Sequence, residues 1–118
     1  DIVMARQLVR RLTQELGFSL VDQTKMVTAA SELARNALVY GRGGTMSWEK
    51  IIAERNGLKL LFADEGPGIA NLDLALTDGW TSGNGLGMGL SGARRLVNEF
   101  DIDSEVDRGT RVTIIRWR

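Results

Sequence analysis

Glu32 and Asn36, in "SELARNA", stand four residues apart in a stretch of helical apolar spacing, so their side chains share one face. A carboxylate and an amide so placed can serve a proton transfer and a Mg²⁺ ion respectively, because Mg²⁺ takes oxygen ligands and keeps several waters. A solvated helix face explains the same pair taken alone, although an interior Asn costs a helix about half a kcal/mol. Asp64 ends an apolar strand and faces "EGPG", where Gly66, Pro67 and Gly68 impose a tight path. A carboxylate there can accept from an exocyclic amine such as adenine offers, while glycine lets the backbone approach the ring. An Asp that only caps a turn is the plainer alternative. The stretch "NGLGMGLSGARR", residues 84–95, is dense in glycine and runs into a helix. Free backbone N–H groups ahead of a helix N-terminus, together with the helix dipole, favour bound phosphate. Thr81 and Ser82 lie just upstream and offer hydroxyl donors. A surface loop is the alternative, and such a segment also suits a lid.

The glycine stretch fits several phosphate-binding patterns only in part. "GMGLSG" matches G-x-G-x-x-G, but a dinucleotide site needs a strand immediately before it inside a βαβ unit. The preceding "LTDGWTSGN" is turn-rich and polar, and the following strand belongs to a hairpin. No G-K-[ST] follows a glycine loop, and the H-R-D and D-F-G of protein kinases are absent. Composition narrows the chemistry further. With 15 basic and 15 acidic residues the net charge is zero, so no basic field holds a nucleic acid backbone. The chain has no cysteine and no histidine, which leaves carboxylates, amides, hydroxyls, arginines, lysines or a bound metal to act. No apolar run reaches the ~20 residues of a membrane span, so no membrane role is expected.

The elements that must position these groups follow from spacing. Residues 1–16 carry helical apolar spacing, capped by Asp1 and ended at Gly17, and "SLVD" resembles a capping box that opens a second helix running to "GRGG" at Gly41. "TMSWEKIIAE" and "RNGLKLLFAD" read as two strands joined at an Asn56-Gly57 turn. A weak helical stretch is expected around residues 72–76 and a helix over 90–100. "DIDSEVDRGTRVTIIRWR" closes the chain as a second hairpin turning at 107–109. Trp48 and Trp117 fall in strands as packing residues, and Trp80 lies in the glycine-rich region as a candidate partner contact. The expected fold is α+β, a two-layer sandwich with a mostly antiparallel mixed sheet and helices on one face, formed as one domain over 1–118.

Four features occur in one order: Glu32 and Asn36; Asp64, Gly66 and Gly68; Gly85, Gly87 and Gly89 in "GLGMGL"; and Gly109 with Thr110 in "DRGTRV". At this point the chain resembles the GHKL family of ATP-binding proteins, which share the Bergerat fold, and the four stretches correspond to its N, G1, G2 and G3 boxes. The resemblance covers nearly the whole chain. It implies ATP and Mg²⁺ as cofactors. Glu32 would be the base that takes the substrate hydroxyl proton, and Asn36 would hold Mg²⁺. Asp64 would read adenine, Gly66 and Gly68 would shape the base pocket, and Thr110 would reach adenine partly through water. Thr81, Ser82, Gly85, Leu86, Gly87, Met88 and Gly89 would line the triphosphate.

The compact form, without an F box, a long lid or an acceptor His, is most similar to the anti-sigma-factor-type serine/threonine kinases. Among them it looks most like the stressosome switch kinases of the regulator-of-sigma-B system, on the opening "DIVMARQLVRRLTQELGF" and the closing "DRGTRVTIIRWR". This implies a cytoplasmic enzyme that phosphorylates Ser or Thr on a STAS-domain protein and activates a serine phosphatase by binding. A sigma factor is the other partner implied, and a homodimer is left open. Two readings stand beside it: a nucleotide-dependent binding module without significant kinase activity, and a detached histidine-kinase catalytic domain. The family usually has a strand before its first helix, whereas this sequence starts at the helix, so an N-terminal strand is expected to be missing.

Overall fold

Asp1 caps the first helix, its Oδ1 accepting from the N–H of Val3 at 2.8 Å and of Met4 at 3.3 Å. The computed structural model describes residues 1–39, 41, 43–69, 76 and 88–118. Helix α1 (Ile2–Glu15) buries Val9 and Leu12 and ends in a Schellman turn. There the N–H of Phe18 reaches the Thr13 carbonyl and that of Gly17 the Gln14 carbonyl, both at 3.0 Å. The turn swings buried Phe18 under the helix and starts α2 (Leu20–Val39) after Ser19, whose Oγ accepts from the Asp22 N–H at 3.1 Å. Helix α2 is the hub of the helical layer. Its buried Met26, Ala29, Ala30 and Leu33 let it pack on α1, on strands β1 (Gly44–Ile51) and β2 (Gly57–Asp64), and on helix α3 (Met88–Arg95).

Strands β3 (Glu99–Glu105) and β4 (Gly109–Trp117) complete a four-stranded sheet of order β1-β2-β4-β3, and all three pairings are antiparallel. No parallel pair exists among the described residues, so the expected mixed character is absent from this sheet, while the two-layer α+β sandwich stands as expected. Alternation along each strand separates the two faces. Leu58, Leu60, Phe62, Val112 and Ile114 point into the helical layer and are buried, and Glu49, Lys59, Asp101 and Asp103 occupy the opposite face.

The register stacks the inward side chains in rows across the strands. Met46, Phe62, Val112 and Ile102 form one row, and Trp48, Leu60, Ile114 and Phe100 form the next. Beyond the second lies Lys50, Leu58 and Arg116. Beyond the first lies Gly44, Asp64, Thr110 and Ser104, where the core turns polar.

Three local expectations change. The helix expected over 90–100 stops at Arg95, and Phe100 sits in β3 opposite Ile114. The β4 ladder captures this segment: the Asn98 N–H donates to the Ile115 carbonyl at 3.0 Å, and its side-chain oxygen takes the Trp117 N–H at 2.7 Å. The alternation in "EFDIDSE" then serves a strand better than a helix. Asn56-Gly57 is not the hairpin turn, since Ile51 already pairs with Gly57. Gly57 is needed inside the strand, because a Cβ there would lie 2.5 Å from the Trp117 ring. Trp117 is a half-buried packing residue whose Nε1–H reaches Glu99 at 2.9 Å, but Trp48 stays 46% exposed because β1 is an edge strand. Trp80 and the stretch expected as a helix over 72–76 lie outside the described residues, except Leu76.

Arg116 clasps the sheet to the helices. Its guanidinium donates to Asp22 Oδ1 at 2.6 Å and to the Leu96 carbonyl at 2.8 Å, with the two side chains only 14% and 27% exposed. The Arg116 hydrogen bond holds the Asp22 carboxyl below its ordinary range, against the opposing effect of burial. A lowered folded-state value means the stabilisation is complete above the ordinary carboxylate range and is lost as pH falls through the lower folded value. Replacing Asp22 by Asn is expected to cost about 2 kcal/mol at pH 7, and urea denaturation across a pH series should show that penalty shrinking in acid. A penalty independent of pH would refute the assignment.

Candidate functional site

Asp64 and Thr110, from the polar row at the end of the sheet, lie in the floor of a cleft between α2, the sheet and the loop after β2. Leu33, Ala37, Phe62, Ile69, Leu90 and Val112 form its apolar walls, and Asn36, Asp64 and Thr110 bring the polar groups. Apolar walls with a few convergent polar groups are what a planar heterocycle requires.

Asp64 is fixed by backbone packed closer than any side chain permits. Its Oδ1 accepts from the Gly66 N–H at 2.9 Å. A Cβ on Gly41, just past the end of α2, would overlap the Asp64 carboxylate. One on Gly66 would lie 2.6 Å from the Gly41 Cα. Gly68 and Gly109 have φ of +75° and +97°, and Cβ atoms there would overlap the carbonyl oxygens of Glu105 and Asp64. The Asp107 N–H donates to the Pro67 carbonyl at 2.8 Å and seals the loop to the β3–β4 turn. Ser104 does the same from the side: its Oγ accepts from the Ile69 N–H at 2.8 Å and stands 2.8 Å from Thr110 Oγ1.

Asn36 lines the cleft from α2, and its Nδ2 is buried without a hydrogen-bond partner. A buried amide left unpartnered is costly, so one facing a cleft marks a place where a ligand or its hydration shell completes the set. Mg²⁺ needs few protein ligands when phosphate oxygens and waters supply the rest, and the Asn36 side-chain oxygen suits such a site. Among the described residues no group of three or more His, Cys, Asp or Glu side chains is placed to hold a metal ion.

The remaining expected residues fall as follows. Glu32 lies one turn before Asn36 on α2, half-buried and outside the cleft walls. Gly66 stands behind Asp64 and Gly68 lines the cleft. Met88 and Gly89 open α3, whose Leu90 is buried against the cleft. Thr81, Ser82, Gly85, Leu86 and Gly87 lie outside the described residues. Sequence reasoning missed Gly41 and Ser104. By sequence Gly41 reads as a helix stop, and no motif singles out Ser104. The signal for Ser104 was available: the hairpin register places it directly opposite Thr110.

Over residues 21–118 the chain matches the family of histidine kinase-, DNA gyrase B- and HSP90-like ATPases. It is 43% identical over 118 residues to the serine/threonine-protein kinase RsbT of Bacillus subtilis (strain 168), covering 99% of this chain and 89% of that protein. To an anti-sigma F factor of Clostridium kluyveri it is 32% identical over 113 residues, covering 92% and 80% respectively. Among solved structures, the mycobacterial sensor histidine kinase MprB aligns with a TM-score of 0.61 at 21% identity, over 80% of this chain and 71% of that one. Full-length ShkA in complex with AMPPNP aligns at 0.63 and 18% identity, over 98% of this chain and 28% of that one. These structures share the fold, and the sequence relatives place the branch. The chain belongs to the histidine kinase-, DNA gyrase B- and HSP90-like ATPase family, an ATP-binding family, on the side of its serine/threonine protein kinases.

Proposed function

We propose that this chain is an ATP- and Mg²⁺-dependent serine/threonine protein kinase that phosphorylates a STAS-domain protein in a bacterial stress-response partner switch. The observation that carries the reading is one cleft flanked by the Asp64 carboxylate and the unpartnered Asn36 amide, in a chain 43% identical along nearly its whole length to a serine/threonine-protein kinase. Bound Mg·ATP supplies the phosphoryl group and neutralises its developing charge. Asp64 and Thr110 would bind the base, Asn36 would hold the metal ion, and Gly85, Gly87 and Gly89 would serve the phosphates. Glu32 takes the proton from the acceptor hydroxyl as its oxygen attacks the terminal phosphorus and ADP leaves. Its position outside the cleft walls suits a group that meets a protein substrate arriving from solvent. The chain would also activate a serine phosphatase by binding it.

The likeness to anti-sigma F factors favours a second reading, a nucleotide-dependent binding module whose partner is a sigma factor and whose kinase activity is slight. The two readings separate on Glu32. Under the kinase reading, Glu32→Gln lowers phosphoryl transfer to a STAS-domain protein by about 10²–10⁴-fold, measured with labelled ATP, and leaves ADP affinity within about twofold. Wild-type protein that binds ADP yet labels no serine or threonine on any such partner would sink the kinase reading. Asp64→Asn is expected to weaken ADP binding at least about tenfold in titration calorimetry. Gly41→Ala, which pushes a methyl group onto the Asp64 carboxylate, should do the same while leaving the folded far-ultraviolet spectrum intact. Unchanged affinity in both variants would refute the base pocket.

A further inference from the structure

We infer that Ser104 is a positioning residue that sets the selectivity of the cleft for an amino-bearing purine, by forcing the Thr110 hydroxyl to act only as an acceptor. The inference rests on the nucleotide reading of the cleft above. Ser104 Oγ has one hydrogen and three contacts: the Ile69 N–H at 2.8 Å, the Gly109 carbonyl at 3.2 Å and Thr110 Oγ1 at 2.8 Å. An N–H can only donate and a carbonyl can only accept. All three contacts therefore coexist in one arrangement. Ser104 gives its hydrogen to the Gly109 carbonyl, accepts from Ile69, and accepts the Thr110 hydrogen as well. Thr110 Oγ1 is then left with lone pairs alone to turn toward the cleft that it lines.

Directly across the β2–β4 pairing from Thr110 stands Asp64, whose carboxylate also only accepts. The polar end of the cleft is thus acceptor-only on both strands. Such a floor matches a base whose exocyclic group is an amine with two hydrogens. It opposes a base that carries a carbonyl at the same place, because acceptor would face acceptor. Asp64 alone would give part of this preference. Thr110 adds to it only while its hydrogen is taken up elsewhere, and a threonine hydroxyl left to rotate could donate to a carbonyl instead. Ser104 removes that freedom without lining the cleft. It also ties the loop at Ile69 to the same hydroxyl, so base selectivity and loop position share one atom.

The test is equilibrium binding of ADP and inosine diphosphate, with Mg²⁺, to wild-type protein and to Ser104→Ala and Ser104→Thr. Wild-type protein is expected to prefer ADP. In S104A the ratio of the two dissociation constants should fall about tenfold, chiefly through tighter inosine diphosphate binding, the equivalent of one net hydrogen bond. S104T keeps a hydroxyl at the same place and should retain the wild-type ratio. A merely structural Ser104 would weaken both ligands alike and leave the ratio where it was, and that result overturns the proposal. Equal affinity for the two ligands in wild-type protein overturns it without any variant. Failure of wild-type protein to bind either nucleotide would instead sink the nucleotide reading beneath it.

Discussion

The site depends on backbone meeting backbone around one carboxylate. Three connections converge on Asp64: the one after α2 at Gly41, the one after β2 at Gly66 and Gly68, and the β3–β4 turn at Gly109. At each approach a single carbon atom would overlap a neighbour. Close-packed interiors respond to an added methylene by shifting backbone or forcing rotamers. Here both would move the carboxylate that anchors the cleft. The glycines therefore act less as hinges than as contact surfaces, and their positions define how wide the pocket is.

The sheet register does the rest. Side chains alternate across a strand, so the row Asp64, Thr110 and Ser104 faces the helices only in the register observed. A slip of one residue would turn the whole row to solvent and bring Lys59 and Arg111 inward. The buried pairs Phe62–Val112 and Leu60–Ile114 make such a slip costly, which is how an ordinary apolar core fixes polar groups it does not touch. At the opposite end Arg116 pins the same strand to Asp22.

Much of this was legible in the residues. Asp1 and Ser19 announced the helix starts, and the period of apolar residues gave both long helices and all four strands. Asp64 stood out because the glycines after it break the strand pattern, whereas Thr110 was marked only through the resemblance to the GHKL family. What stayed hidden was non-local. Gly41 belongs by sequence to a helix end, and only the folded chain brings it against Asp64. The end of α3 was misread because Leu96, Val97 and Phe100 satisfy a helical period, while the ladder partner that draws this segment into a strand, Ile115, lies far along the chain. Gly57 looked like a turn residue because Asn-Gly is a turn signal; its role against Trp117 depends on a strand pairing that no local pattern contains.

The strand order β1-β2-β4-β3 sets an order of assembly. Strand β4 follows every other described element in the chain, yet it lies in the middle of the sheet, between β2 and β3. Until it emerges, β3 has no sheet partner, β2 has only an edge hairpin with β1, and Asp64 has neither Thr110 opposite nor the β3–β4 turn against its backbone. Helices α1 and α2 can form and pair locally while the chain is still being made, because their contacts are near in sequence. The cleft cannot. Its completion requires the long-range pairing of β2 with β4 and of β3 with β4.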